Sequence, residues 1–301
     1  MEDPNNNIDD TNGDPKRQEQ SKPRDDPAMV FEVDPVVSDI FTGKDGDYFG
    51  LVLVTSWPVS PLADMDGPYQ DFLAAVKSCF QSEDISVPSK SVTQASVPAV
   101  YLYPTIYLHI TLATFVRPTK IISDNNAESK YLRQAKKDVA LELVRSASKL
   151  PGWPTKPLQL VVDKAQIGKS AGILLWKDLS GGVAAIRNCL RKASAEAEVD
   201  ASANDNATPA TTKIVPTIPG IIHSTFLRFS SAPQTPGEKV QEAFRSRIQE
   251  KIGKEFFRIA DGDETAPFLQ ADTVRLVCES TPYMHLPNDD EHVLWTCELT
   301  K

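Results

Sequence analysis

The chain predicts an α+β fold in which antiparallel sheets are backed by helices, and three observations carry that expectation. Short apolar runs of strand length are interleaved with longer stretches that repeat at helical spacing. Two pairs of the strand-like runs follow one another through turn residues, as hairpins do and parallel crossovers do not. No repeat at a solenoid period is present.

Tyr48 to Trp57 reads as the first strand, because Leu51-Val52-Leu53-Val54 is a continuous apolar run suited to a strand buried on both faces. Pro58 and Pro61 end it. Tyr69 to Gln81 carries Phe72, Leu73, Val76, Cys79 and Phe80 on one helical side, and the Ser-rich residues 82–97 read as a loop. Val100 to Tyr103 predicts a short strand, broken by Pro104. From Ile106 to Phe115 the residues alternate, with Ile106, Leu108, Ile110 and Leu112 on one face and Tyr107, His109, Thr111 and Ala113 on the other. Asp124 is positioned to cap a helix running to Lys149, where Pro151-Gly152 stops it. Leu158 to Val162 and Gly172 to Trp176 form a strand pair joined through Gly168. Ser180 caps a helix with Val183, Ile186, Leu190 and Ala193 on one face. Ile221 to Phe229 is a strand. Thr235-Pro236-Gly237-Glu238 is a capping box opening a helix that carries Val240, Phe244, Ile248 and Ile252. Thr273 to Ser280 and Val293 to Leu299 complete the set as a hairpin whose connector holds Pro287-Asn288-Asp289-Asp290.

The ends and one interior stretch differ in composition. Ile8 is the sole large aliphatic residue before Met29, so residues 1–28 cannot bury enough apolar surface to offset the entropy of ordering. Residues 1–46 are therefore expected to be a disordered or loosely docked acidic segment, within which Val30, Phe31, Val33, Val36, Val37, Ile40 and Phe41 can dock on the core. Residues 47–301 make the folded domain, with a flexible Ala-, Asp-, Asn- and Ser-rich insertion at 195–212.

Charge and cysteine usage restrict the function classes. The net charge is −9 and 41% of the 301 residues are hydrophobic. A protein that tracks long duplex nucleic acid is normally basic, so a nucleic-acid partner would be met in a local pocket. No basic region leads into an apolar run at the N-terminus and no run is long enough to span a bilayer, so a membrane partner is not expected. Cys79, Cys189, Cys278 and Cys297 are not spaced as a CxxC zinc or redox motif. They read as reduced thiols of a cytoplasmic or nuclear protein. Cys278 and Cys297 fall in neighbouring predicted strands, where a cross-strand disulfide and a pair of buried small hydrophobes are both open.

The chemistry is concentrated in the histidines. The chain has four, and two share one local pattern: Leu108-His109-Ile110-Thr111-Leu112 and Ile222-His223-Ser224-Thr225-Phe226. Side chains two apart on a strand face the same way, so each His-x-Thr offers an imidazole and a hydroxyl on one side. With the two strands close together, four polar side chains meet. One imidazole can be neutral and the other charged near neutral pH, which suits a base and an acid acting on one phosphodiester. Threonine hydroxyls can donate to the non-bridging oxygens. This set requires no metal and no cofactor.

Paired His-x-Thr motifs in apolar strands, separated by helices and a strand pair, resemble the two-histidine phosphoesterase superfamily of RNA ligase-like and cyclic nucleotide phosphodiesterases. The resemblance covers roughly residues 47–301, with the two motifs as its specific part. It implies a bilobal fold, two antiparallel sheets lining a central cleft with helices outside, in which each lobe supplies one motif. It also implies that His109 and His223 are catalytic, that Thr111 and Thr225 bind phosphate, and that the substrate is an RNA end or nucleotide. The expected reaction is metal-independent opening of a 2′,3′-cyclic phosphate or cleavage of a 2′-5′ or 3′-5′ linkage, by a monomer. The 114 positions between the histidines are a wide gap for this pattern. Tyr107 shares the predicted face of His109 and can stack on a base, although a core or rim tyrosine is the somewhat better reading. Arg228 is a further candidate phosphate ligand, but strict alternation puts it opposite His223 unless a bulge intervenes.

Other signals carry less. Gly168-Lys169-Ser170 lacks the glycine that a phosphate loop needs at Asp163. Asn206-Ala207-Thr208 is a glycosylation sequon without a secretory context. His285 and His292 flank Asp289, Asp290 and Glu291, which read as a solvated turn in preference to a metal cluster. Two rival readings remain open: a non-catalytic module of the same fold that holds a nucleotide or RNA end, and an α+β interaction protein whose acidic tail is the working part.

Overall fold

All eight residues of β1, Tyr48–Thr55, are buried, as the unbroken apolar run requires, because this strand sits inside a sheet with both faces covered. In the structure, a computed structural model that describes residues 31–37, 47–59, 62, 66–80, 100–121, 127–203, 214–230, 238–260 and 268–300, β1 is flanked by β3 (Ile110–Lys120) and β8 (Thr273–Glu279), and β9 (Val293–Glu298) lies beyond β8. A second sheet runs in the order β2 (Val100–Leu102), β6 (His223–Phe229), β5 (Ala171–Asp178), β4 (Leu158–Ile167), β7 (Phe268–Ala271). Every pairing in both sheets is antiparallel.

Four long helices among the described residues cover these sheets. Helix α2 (Ala127–Ser148) packs on β1, β8 and β9, and α3 (Gly182–Ala203) packs on α2 and reaches β3 and β4. Helix α4 (Glu238–Ala260) lies on β4, and α1 (Asp66–Cys79) packs on α4 and touches β2. The expected α+β architecture of two antiparallel sheets backed by helices is thus present. One apolar core runs through both sheets and includes Leu53, Leu112, Leu160, Leu174, Phe226 and Leu276. A smaller cluster of Val52, Val54, Trp57, Val277, Met284 and Leu286 covers the opposite face of β1 and β8. Among the described residues no helix is long and apolar enough to cross a membrane.

Several elements differ from expectation for identifiable reasons. The alternation from Ile106 is broken, because Thr105–Tyr107 is a 3₁₀ turn and β3 begins only at Ile110. Pro104, at φ −61°, starts that turn and its carbonyl accepts Tyr107 N–H at 3.1 Å. Ile106 is consequently 58% exposed, not directed inward with Leu108. Of the insertion expected to be flexible at 195–212, residues 195–203 continue α3, since Ala and Glu are strong helix formers, and residues 204–212 fall outside the described residues. Strand β7 is too short to show a period, yet it completes the second sheet beside β4. The four cysteines are free, and the register explains why: Cys297 stands opposite Val274, four residues from Cys278. The Asp124 cap, the Thr235 capping box, the 82–97 loop and the first 28 residues fall outside the described residues.

One irregularity decides what β6 presents. On β5, Gly172 pairs with Leu227 and the next residue, Ile173, pairs with Thr225, so Phe226 is an extra residue on β6. Phe226 and Leu227 are then both buried, and Arg228 returns to the partly exposed side with His223 and Thr225. This is the bulge that Arg228 needs in order to share the histidine face. Gly172 makes room for it, because a Cβ there would lie 2.7 Å from Phe226 Cζ and 3.0 Å from Leu227 Cβ. A Gly172→Ala variant should therefore lose about 1–3 kcal/mol to overpacking, read as a lower denaturant midpoint with an unchanged m-value. An unchanged midpoint would mean that the bulge does not depend on this glycine.

Candidate active site

His109 lies between the 3₁₀ turn and β3, in a stretch of chain fixed from several sides. Tyr103 N–H donates to Phe226 O at 2.9 Å, and Tyr69 Oη–H donates to Tyr103 O at 2.9 Å inside the core. Thr105 Oγ1 donates to Asp66 Oδ1 at 2.7 Å, at the first residue of α1. Leu108 is fully buried. The His109 side chain is partly buried, and its Nδ1 lies 2.9 Å from Tyr107 O. A carbonyl can only accept, so Nδ1 carries the proton and Nε2 of the neutral ring keeps its lone pair.

His223 is the first residue of β6, in the other sheet. Its Nδ1 is buried and has no hydrogen-bond partner. The two motif strands are joined in two ways. Thr114 and Thr217 exchange backbone hydrogen bonds of 2.9 and 2.8 Å, which ties β3 to the segment leading into β6. From α3, the buried Arg187 donates from Nε to Leu112 O at 3.3 Å and from Nη2 to Thr111 O at 3.3 Å and Ile221 O at 3.0 Å. One guanidinium therefore links the backbone of the first motif to the residue that precedes the second.

The two histidines share an electrostatic environment. Burial lowers the pKa of His109 to about 4; the hydrogen bond to Tyr107 opposes this, while His223, Arg228 and His285 add to it. His223 is lowered as well, first by burial and then by Arg228 and Arg187. Both imidazoles are thus biased toward the neutral form, under a positive field that an anion would relieve. Thr111, between the buried Ile110 and Leu112, and Thr225, between the buried Ser224 and Phe226, are partly exposed on the histidine sides of their strands.

Two further parts of the site come from elsewhere in the chain. Tyr101, paired with Arg228 across β2 and β6, hydrogen-bonds His285 Nε2. His285 Nδ1 lies 3.0 Å from Pro282 O, and its ring lies 4.0 Å from that of Tyr107 and 5.8 Å from that of Tyr103. The loop that carries His285 is anchored by Met284 and Leu286, buried on either side of it. Tyr283 and Met284 take φ of +62° and +64°, a conformation uncommon for residues other than glycine. The buried Glu279 accepts Met284 N–H at 3.1 Å and holds this turn; burial raises the Glu279 pKa to about 7 against the backbone N–H groups of Met284 and Tyr283. The second addition is Asp34, whose Oδ2 accepts Arg228 Nη1–H at 3.2 Å and Tyr283 Oη–H at 2.5 Å.

Three buried polar atoms without partners belong to Arg228 and two residues within its electrostatic reach: Arg228 Nε, His223 Nδ1 and Tyr103 Oη. Buried polar groups are ordinarily satisfied, so unpartnered atoms on three side chains that share Arg228 mark this as the candidate polar-ligand site. Cavities of about 220 and 400 Å³ open elsewhere, lined by residues that include Lys130, Arg133, Lys137 and His292 in the first and Lys164, Arg245 and Gln249 in the second.

The chain is similar to solved structures only loosely. Over 85% of this chain and 99% of the other it matches Escherichia coli LigT, crystallised with 3′-AMP, at 14% identity and a TM-score of 0.38. It matches Kluyveromyces marxianus Usb1 with uridine monophosphate over 79% and 95% of the two chains, at 8% identity and a TM-score of 0.38. The TT0787 protein of Thermus thermophilus matches over 83% and 97%, at 12% identity and a TM-score of 0.36. No family model and no curated protein matches the chain. What the site can do is therefore read from its own residues.

The structure brings His109, His223, Arg228 and Tyr107 into one neighbourhood, with Tyr107 in a 3₁₀ turn against His285 and not on a strand face. His285 corrects the expectation of a solvated turn, since three tyrosines surround it. His292 stays in the turn, with Nδ1 2.6 Å from Asp289 Oδ1 and Nε2 2.8 Å from Ser280 Oγ. Sequence reasoning missed Arg187, Asp34, Tyr101 and Tyr103. The one usable signal was Arg187 itself: a cation between Val183 and Leu190 on what reads as an apolar helix side, one residue after Ile186.

Proposed function

We propose that the protein is a phosphodiesterase acting on an RNA end or nucleotide, with His109 as general base and His223 as general acid. The observation that carries this reading is a pair of histidines, one just before β3 and one opening β6, that act on each other's charge together with Arg228, beside buried polar atoms without partners. His109 is assigned the base because its Nδ1–H is committed to Tyr107 O, leaving the Nε2 lone pair to take a proton from water or a ribose hydroxyl. Phosphorus gains that oxygen, its bond to the leaving ribose oxygen breaks, and His223 supplies the proton that the leaving oxygen needs. Arg228, Thr111 and Thr225 are assigned to the non-bridging oxygens, where charge accumulates. The anionic substrate would offset the positive field on His223 and raise its pKa, so binding itself would load the acid. The residue set performs these proton transfers without a metal.

The pH profile of kcat/KM is a consequence. It reports the free enzyme, in which both histidines lie below 6.5. Activity rises as the base loses its proton, at about 4 for His109, and falls as the acid loses its own, below 6.5. The maximum of kcat/KM is expected between those limits, on the acid side of neutrality. Measuring kcat/KM from about pH 3.5 to about pH 8.5 checks it, and a maximum above about pH 7 would contradict it. Substrate class is tested by a panel of oligonucleotides carrying a 2′,3′-cyclic phosphate, a 2′-5′ linkage or a 3′-5′ linkage, assayed in EDTA. Turnover of at least one is expected, and binding without turnover across the panel would favour the non-catalytic module.

A further inference from the structure

We propose that Asp34 is a positioning residue for Arg228, so that residues 31–37, which precede the first strand, are part of the catalytic unit; this rests on the phosphodiesterase reading above.

The segment is built into the molecule. Phe31 is 1% exposed and packs on Phe229 with ring centroids 4.6 Å apart, and Val37 is equally buried. Glu32 N–H donates to Lys169 O and Asp34 N–H to Phe229 O, both at 2.8 Å. These bonds attach the segment to the connector before β5 and to the end of β6, the strand that carries His223, Thr225 and Arg228.

Asp34 uses its two oxygens for different purposes. Oδ1 accepts Val36 N–H at 3.0 Å and Val37 N–H at 3.2 Å, which closes the turn of its own segment. Oδ2 is turned to the site and accepts from Arg228 and Tyr283. The Arg228 guanidinium also lies over the Tyr283 ring, 4.8 Å from its centroid. One Nη and one face of Arg228 are thereby fixed, and its buried Nε is left without a partner. A guanidinium has five donors in a rigid fork. Pinning one side by a carboxylate orients the other side toward a ligand. Asp34 also supplies the counter-charge without which a partly buried Arg228 would be costly, so docking of the segment and orientation of the arginine are one event.

The test uses the full chain. Asp34→Asn is nearly isosteric and keeps Oδ1 as an acceptor for Val36 and Val37, while removing the charge. The reporter is the His223 ring titrated by NMR. Its charged and titratable neighbours are Arg228 from its own strand, Arg187 from α3 and His109 before β3; His285 acts on His109, and Tyr103, Tyr283 and Asp34 surround Arg228. An Arg228 freed of its counter-charge should push the His223 pKa down by about half a unit or more, a reasonable size for one uncompensated charge in a partly solvated site. The shift should vanish in an Arg228→Gln background, and Asp34→Glu, which keeps the charge, should stay near wild type. In turnover, Asp34→Asn should lower kcat/KM at least about tenfold in the wild-type background alone. No downward shift, or the same shift with and without Arg228, would overturn the assignment and leave Asp34 as a clip for its segment. Absence of turnover in the wild type would overturn the phosphodiesterase reading instead, while the NMR cycle would still decide the role of Asp34.

Discussion

Replacing His109 or His223 by alanine should lower kcat/KM by about 10²–10⁴-fold without unfolding the protein. The size follows from the two roles. Without the base, water or a ribose hydroxyl must lose its proton unaided; without the acid, the leaving oxygen departs as an alkoxide. The stability side follows from the contacts. His109 makes one hydrogen bond through Nδ1, to Tyr107 O, worth about 1 kcal/mol. His223 Nδ1 makes none, so its removal relieves an unsatisfied group. Because the pair acts on one phosphodiester, the double variant should be little worse than either single one. Steady-state kinetics beside thermal melts checks all three statements. A histidine variant that melts as the wild type does and keeps its kcat/KM would remove that residue from the mechanism.

Arg187→Met should produce the largest loss of stability. The guanidinium supplies donors to Thr111 O, Leu112 O and Ile221 O, and methionine leaves all three carbonyls without them. A loss of about 3–5 kcal/mol is expected for breaking a buried charged contact of this kind, or a drop in Tm of roughly 10 °C. Below that Tm, kcat/KM should still fall, since the guanidinium is one of the two links between the first His-x-Thr segment and the chain leading into the second. Loss of its charge should also raise the His223 pKa, because Arg187 contributes to lowering it. A variant with wild-type Tm would show that the Thr114–Thr217 bridge suffices to hold the strands.

Much of the architecture was legible because its elements are periodic. β1, α1, α2, the β4–β5 hairpin and β6 all carry their burial in their spacing, and the structure places them within a few residues of expectation. The histidines stood out because both motifs recur in a chain with few histidines. What could not be read depends on geometry without a local signature. The 3₁₀ turn before His109 comes from Pro104 and from anchors in α1. The bulge that returns Arg228 to the histidine side needs Gly172 on the neighbouring strand, 56 positions earlier in the chain. His285 looks like a turn residue until Glu279, Met284 and Leu286 are seen to turn its loop inward. Asp34 lies in a segment whose acidic composition says nothing of the one carboxylate that enters the site.

The most direct test of the two-histidine reading is hydrolysis of a short RNA ending in a 2′,3′-cyclic phosphate, in EDTA, by the wild type and by His223→Ala. Turnover by the wild type that persists in the chelator and is lost in the variant is the predicted result. Turnover abolished by EDTA, or retained in His223→Ala, would contradict metal-independent catalysis by this pair.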